Sequence, residues 1–269
     1  MLTGRALERI LYRTVIVGAV IVAPLFALRA SAVTIPPTIA AASNLRFGLE
    51  EIARIFHRDT GVKVRLSFGS SGNFARQIRQ GAPFELYMSA DEVYVLDLAR
   101  DEFTIGEGVL YAIGRIAIFA PTGSPLQVDA IMQGLRVMIK NGRLKHFAIA
   151  NPEHAPYGRA AREVLVHAGL WEKILPRLVF GENISQAAQF VLSGSTQGGL
   201  LAYSLVRSPP FSGRGESALV PAKWHRPLRQ RMALLKGAGQ VARHFYHFIQ
   251  QPPARAILRR YGFGPPDGS

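Results

Sequence analysis

The chain has 269 residues, enough for one large domain or two modest lobes, and its 48% hydrophobic and 19% charged residues exclude a disordered polymer. A net charge of +14 is scattered over short clusters without interleaved aromatic residues, which argues against a nucleic-acid platform. The absence of cysteine removes disulfides, thiolate metal sites, a cysteine nucleophile and a lipid-modified cysteine anchor.

The N-terminal segment stands apart from the rest. Arg5, Arg9 and Arg13 precede the apolar run TVIVGAVIVAPLFAL, and Ala30-Ser31-Ala32 offers a small-residue cleavage site, completing the three parts of a secretory signal. Pro24 interrupts the run, which is shorter than the roughly 20 residues of a spanning helix. Residues 1–32 are therefore expected to be a signal peptide, with an uncleaved anchor as the alternative. That segment holds four arginines and one glutamate, so +11 remains on the following chain. Bacterial export into the periplasm is the simplest compartment for a cysteine-free secreted chain, and a positive surface suits a small anion.

Next, TIAAASN (38–44) reads as a short strand ending in small residues. Leu45, Leu49, Ile52 and Phe56 recur at helical spacing, and Gly61 is placed to close that helix. VKVRLSF (62–68) alternates apolar and polar residues as a strand does, and GSSG leads into a helix at NFARQIRQ (73–80). FELYMSA (84–90) reads as a buried strand, and Ser89 to Glu92 matches a capping box opening another helix. Strand and helix alternate in this way through RIAIFAP (115–121), a strand within 135–158, a helix at 158–170, a helix at 182–194 introduced by Asn183, and an apolar strand GGLLAYSLV (198–206). A Pro/Gly-rich stretch, 207–227, precedes LRQRMALLKG (228–237) and two terminal helical patterns. The pattern is that of an α/β fold with largely parallel sheets.

Four polar or glycine-bearing turns each stand just before a helix: AASN (41–44), GSSG (69–72), PEHAPYG (152–158) and GENIS (181–185). Parallel sheets gather such turns at one edge, and a helix start presents free N–H groups and partial positive charge to an anion. Serine hydroxyls add uncharged donors; taken singly, each turn also reads as a simple helix cap. Catalytic patterns are missing. GSSGN does not fit G-x-S-x-G, no phosphate-binding GxxxxGK[ST] occurs, and no H-x-x-x-H spacing supports a metal. His154 reads as structural, and the carboxylate pairs in LEEIAR and SADEVY sit at solvated or capping positions.

The blocks AASN, TGVKVRLSFGSSGNFARQIRQGAPFELYMSAD, NPEHAPYGRAAREVL, GENISQAAQFVLSG and RRYGFGPP resemble the molybdate-binding periplasmic proteins of ABC transporters, from about Thr34 to Phe263. The resemblance implies a two-lobed type II solute-binding fold, α/β, with mostly parallel sheets flanked by helices and a ligand cleft between lobes. The expected lobes are 33–114 with 228–269, and 115–227, hinged near IGRIAI and RMALL. It implies molybdate or tungstate as ligand, no cofactor, no catalysis, a monomer, and delivery to the transporter's membrane permease. It places hydroxyl donors on Ser43, Ser71 and Tyr203 and main-chain donors on Tyr157 and Ile184. Position 157 is commonly small in that family, so a tyrosine ring there must point out of the pocket or narrow its mouth. Asn44 likewise replaces a more usual apolar residue. Two other readings remain: a binder of another oxyanion or a small organic acid, and an exported hydrolase using Ser71, which would need a histidine and an acid nearby.

Overall fold

The computed structural model describes residues 35–266, so the expected signal peptide lies outside the described residues. β1 (Thr38–Ala42) runs through a 3-10 turn at Ser43–Leu45 into α1 (Arg46–Thr60). β2 (Arg65–Gly69), α2 (Ser71–Arg79), β3 (Leu86–Met88) and α3 (Glu92–Arg100) repeat that unit, and β4 (Val109–Gly114) follows. A second series comprises β5 (Ile116–Pro121), α4 (Gln133–Lys140), β6 (Phe147–Ala150), α5 (Pro156–His167), α6 (Trp171–Ile174), β7 (Leu178–Gly181), α7 (Ile184–Leu192), β8 (Gly199–Ala202), α8 (Tyr203–Val206) and β9 (Gly215–Leu219). β10 (Leu228–Leu234), α9 (Gln240–Ile249) and α10 (Pro252–Arg260) come last.

The strands form two five-stranded sheets, ordered β2-β1-β3-β10-β4 and β7-β6-β8-β5-β9. In each sheet four strands run one way and one is reversed: β10 in the first, β5 in the second. Both reversed strands follow a passage of the chain between sheets. They enter at the edge where the other strands end, so they must run back against them.

Register fixes what lies beside what. Ala42 at the end of β1 pairs with Gly69 at the end of β2, and Ala41 pairs with Met88 at the end of β3. Ala150 ending β6 likewise pairs with Gly181 ending β7. Turns that are over a hundred residues apart in sequence are thereby brought to two facing sheet edges.

The helices bury their apolar stripes as the spacing predicts. Leu49, Ile52 and Phe56 of α1 are fully buried, and Phe56 meets Phe245 and Phe248 edge-on at 5.1 and 5.3 Å. Gly61 ends α1 in the left-handed conformation at φ 73°. Two local expectations shift. The cap of α3 is Asp91, whose carboxylate accepts the Val93 N–H, while Ser89 turns its hydroxyl to the Asp91 carbonyl instead. GGLLAYSLV is a strand only as far as Ala202, and Tyr203 opens a short helix.

Candidate functional site

Four helical segments begin around one small pocket. Ser43 starts the 3-10 turn before α1, Ser71 is the first residue of α2, Tyr157 lies in the first turn of α5, and Ile184 is the first residue of α7. All four residues line the pocket together with Asn44 and Ser70, and its free volume is about 10 Å³, room for about one water. No Lys, Arg, Asp or Glu is among the lining residues.

The local hydrogen bonds leave donors open at each helix start. The Asn183 side chain takes the N–H groups of Ser185 and Gln186, and the Asn183 carbonyl takes that of Ala187. The Ile184 N–H therefore has no partner among the described residues. Ser71 Oγ accepts the Ala90 N–H at 3.0 Å and Ser43 Oγ accepts the Ser185 N–H at 3.3 Å. Neither hydroxyl donates to any group among the described residues, so each proton is free for a ligand. Ser71 is fully buried, and its carbonyl is held by the Tyr87 hydroxyl at 2.8 Å. Burial pushes the Tyr87 hydroxyl far above its ordinary range, so it stays a donor.

Tyr157 departs from the expectation for its ring. The side chain neither points out of the pocket nor stands at its mouth; it is 2% exposed and ends in a buried polar cluster. Its hydroxyl accepts the Gln230 Nε2–H at 3.2 Å and lies 3.5 Å from Asn44 Nδ2. Asn44 Nδ2 also donates to Gln230 Oε1 at 3.1 Å, and the Tyr111 hydroxyl lies 3.0 Å from the same oxygen. Burial raises the Tyr157 pKa well above the ordinary phenol value. Asn44 and the Tyr157 hydroxyl are the polar groups at this site that sequence reasoning did not assign. Their signal was a polar residue directly after Ser43, at a helix start flanked by apolar residues.

The structure does not bring Tyr203 to the pocket. Because β8 stops at Ala202, Tyr203 turns with α8 and its ring lies against Gly262, where an added Cβ would stand 2.6 Å from the ring. Its backbone N–H is used by the Arg115 carbonyl at 2.9 Å. Of the five sequence-predicted positions, Ser43, Ser71, Tyr157 and Ile184 meet at one pocket and Tyr203 does not.

The profile of the family described as bacterial extracellular solute-binding protein matches residues 37–264. The chain belongs to this family. It is 35% identical over 227 residues to the molybdate-binding protein ModA of Rhodobacter capsulatus, covering 83% of this chain and 86% of that one. It is 36% identical over 229 residues to ModA of Azotobacter vinelandii, covering 84% and 88%. Its fold is similar to the solved Azotobacter vinelandii periplasmic molybdate-binding protein, with a TM-score of 0.77 and 29% identity, over 84% of this chain and 98% of that one.

In a solute-binding protein, contacts across the cleft decide how firmly the two lobes close. Here the GSSG turn docks on the PEHAPYG loop. Gly72 N–H donates to the His154 carbonyl at 2.9 Å, and Ser70 Oγ lies 3.0 Å from His154 Nδ1. His154 Nε2 is 3.5 Å from Glu182, which also receives the Asn73 amide. Ser185 Oγ donates to the Ser43 carbonyl at 3.0 Å, and Ser204 Oγ to the Asn44 carbonyl at 2.8 Å. Arg159 pairs with Asp91 at 2.6 Å and with Glu163 at 3.2 Å, which turns its guanidinium to neighbouring carboxylates. Arg76 is taken by Asn73.

Proposed function

We propose that this protein captures molybdate or tungstate and hands it to the membrane permease of an ABC transporter. The observation that carries the reading is the pocket where four helical segments begin, lined only by uncharged groups with donors left open. A dianion there leaves water behind, so every oxygen needs a donor, and each hydrogen bond to a charged group contributes about 1.5–3 kcal/mol. Helix starts supply such donors without a counter-charge that would bind anions indiscriminately. The relatives named for molybdate binding support the choice of oxyanion.

The proposed donors are the Ser43 and Ser71 hydroxyls, the Tyr157 and Ile184 N–H groups and the Tyr157 hydroxyl. This set replaces Tyr203 by residues that line the pocket. A small organic acid is disfavoured by the lack of a cationic lining residue and by the commitment of Arg76 and Arg159 to other partners. Protonated phosphate needs an acceptor, and no carboxylate lines the pocket. A hydrolase is disfavoured for a different reason. The serine that meets a histidine is Ser70, not Ser71, and it is 4% exposed.

The proposed lobes are 33–114 with 228–269, and 115–227, in keeping with the strands each sheet takes. Export by residues 1–32, action as a periplasmic monomer and transfer to a permease complete the reading. A thermal-shift screen of the chain lacking residues 1–32 tests it against molybdate, tungstate, sulfate, phosphate and chromate. Ligand binding raises the melting temperature in proportion to the logarithm of concentration over Kd. Stabilisation by molybdate or tungstate is expected; no shift with either overturns the proposal.

A further inference from the structure

A hydroxyl beside an anion is ambiguous, because it can present either its proton or its lone pairs. For the Tyr157 hydroxyl, the ambiguity is removed by a residue on the other sheet. Gln230 lies on β10, is fully buried, and is not among the residues lining the pocket. In the strand alternation Leu228, Gln230 and Met232 share the buried phase, so a polar side chain stands where the pattern asks for an apolar one. The ladder between β10 and β4 slips here: Gln230 pairs with Ala112 and Arg231 with Leu110, which leaves Tyr111 as the extra residue of a bulge.

The amide of Gln230 has its orientation set by Asn44, since the Tyr111 hydroxyl has the Ser89 carbonyl at 3.1 Å as well as Gln230 Oε1 for its one proton. Oε1 accepts from Asn44 Nδ2 at 3.1 Å, with the Tyr111 hydroxyl at 3.0 Å. Reversing the amide would set its NH₂ against the NH₂ of Asn44. Held this way round, Nε2 donates to the Tyr157 oxygen at 3.2 Å. The same contact keeps the NH₂ of Asn44 turned inward, 3.5 Å from that oxygen. Were Asn44 to flip, its carbonyl would take the Tyr157 proton. With two N–H groups facing the phenol oxygen, the hydroxyl is left to donate its own proton, for which a ligand oxygen competes with the nearby Ser204 Oγ. Space for this cluster depends on Gly114, where an added Cβ would stand 2.5 Å from both Gln230 Nε2 and the Tyr157 oxygen.

We infer that Gln230 is a positioning residue for oxyanion capture: it fixes the Tyr157 hydroxyl as a donor by supplying an N–H to its oxygen and by locking the Asn44 amide. The inference rests on the proposed oxyanion site. A polar residue kept at a core position across the cleft is thereby given a role in affinity, although it does not line the pocket.

Calorimetric titration with molybdate of wild type, Gln230→Met, Tyr157→Phe and the double variant tests the coupling, with the unliganded melting temperature of each measured alongside. Gln230→Met is expected to lower affinity about tenfold or more in the wild-type background and less than about twofold when Tyr157 is already Phe. A purely structural role lowers affinity equally in both backgrounds, and that result overturns the inference, as does no loss in either. Failure of the wild type to bind molybdate or tungstate would instead strike the proposed function, so the two failures are told apart.

Discussion

One proton decides what Ser71 can do. Its oxygen already accepts the Ala90 N–H, so the hydroxyl can offer a ligand only its hydrogen. Ser71→Ala is expected to lower molybdate affinity about ten- to a hundredfold, the equivalent of one hydrogen bond to a charged group. Calorimetric titration checks it, and unchanged affinity removes Ser71 from the site. Tyr203 makes the opposite case. Its ring packs on Gly262 away from the pocket, so Tyr203→Phe is expected to change affinity less than about twofold. A tenfold loss in the same titration would return that hydroxyl to the ligand set. The difference between these two residues comes from one chain position, the switch from strand to helix after Ala202. GGLLAYSLV is apolar throughout, and periodicity in so short a run does not mark where the strand stops.

At the scale of elements, the turns that begin helices were legible because glycine, serine and asparagine punctuate an otherwise apolar pattern. AASN, GSSG, PEHAPYG and GENIS all meet at the pocket. What sequence left obscure were pairings that only register creates. Asn44 and Gln230 are 186 residues apart and meet at 3.1 Å; in a linear reading each is one polar residue in an apolar run. β4, β7 and β9 were also not read as strands, since GESAL and LVFG are short and carry no clear alternation. Gly72 shows how tightly two elements meet. A Cβ there would stand 2.7 Å from the His154 carbonyl, so Gly72→Ala pushes the start of α2 away from the PEHAPYG loop. The clash lies between two turns at the pocket, and Gly72 belongs to none of the buried apolar clusters. Affinity for molybdate is expected to fall about tenfold or more while the unliganded melting temperature moves only slightly. Affinity at the wild-type level would show that this contact is not part of the closed state.

The whole molecule carries a net charge of +14, and its few carboxylates tie elements that lie far apart in sequence. Glu92 at the start of α3 pairs with Arg229 and Arg231 of β10, and Glu51 of α1 pairs with Arg260 of α10. Glu163 of α5 receives the Arg226 N–H at 2.8 Å and its guanidinium at 2.7 Å. Burial alone would raise Glu92 and Glu163, but their arginine partners outweigh it, and both titrate below the ordinary glutamate value of 4.5. Glu51 is lowered first by its hydrogen bond from Arg260. A carboxyl whose folded pKa is depressed stabilises the fold above its unfolded value and loses that contribution as pH falls through the folded one. The window therefore opens at 4.5 and extends downward. As these groups protonate, the net positive charge also grows and self-repulsion adds to the loss. The melting temperature of the unliganded protein is expected to hold from neutral pH to about pH 5 and then to fall steeply. Glu92→Gln removes one of the titrating groups, so the variant melts below wild type at neutral pH and the gap closes as the solution is acidified. Thermal unfolding by circular dichroism across that range measures both curves. A gap that stays constant with pH would mean that Glu92 stabilises the protein by packing, and that its two arginines contribute nothing through charge.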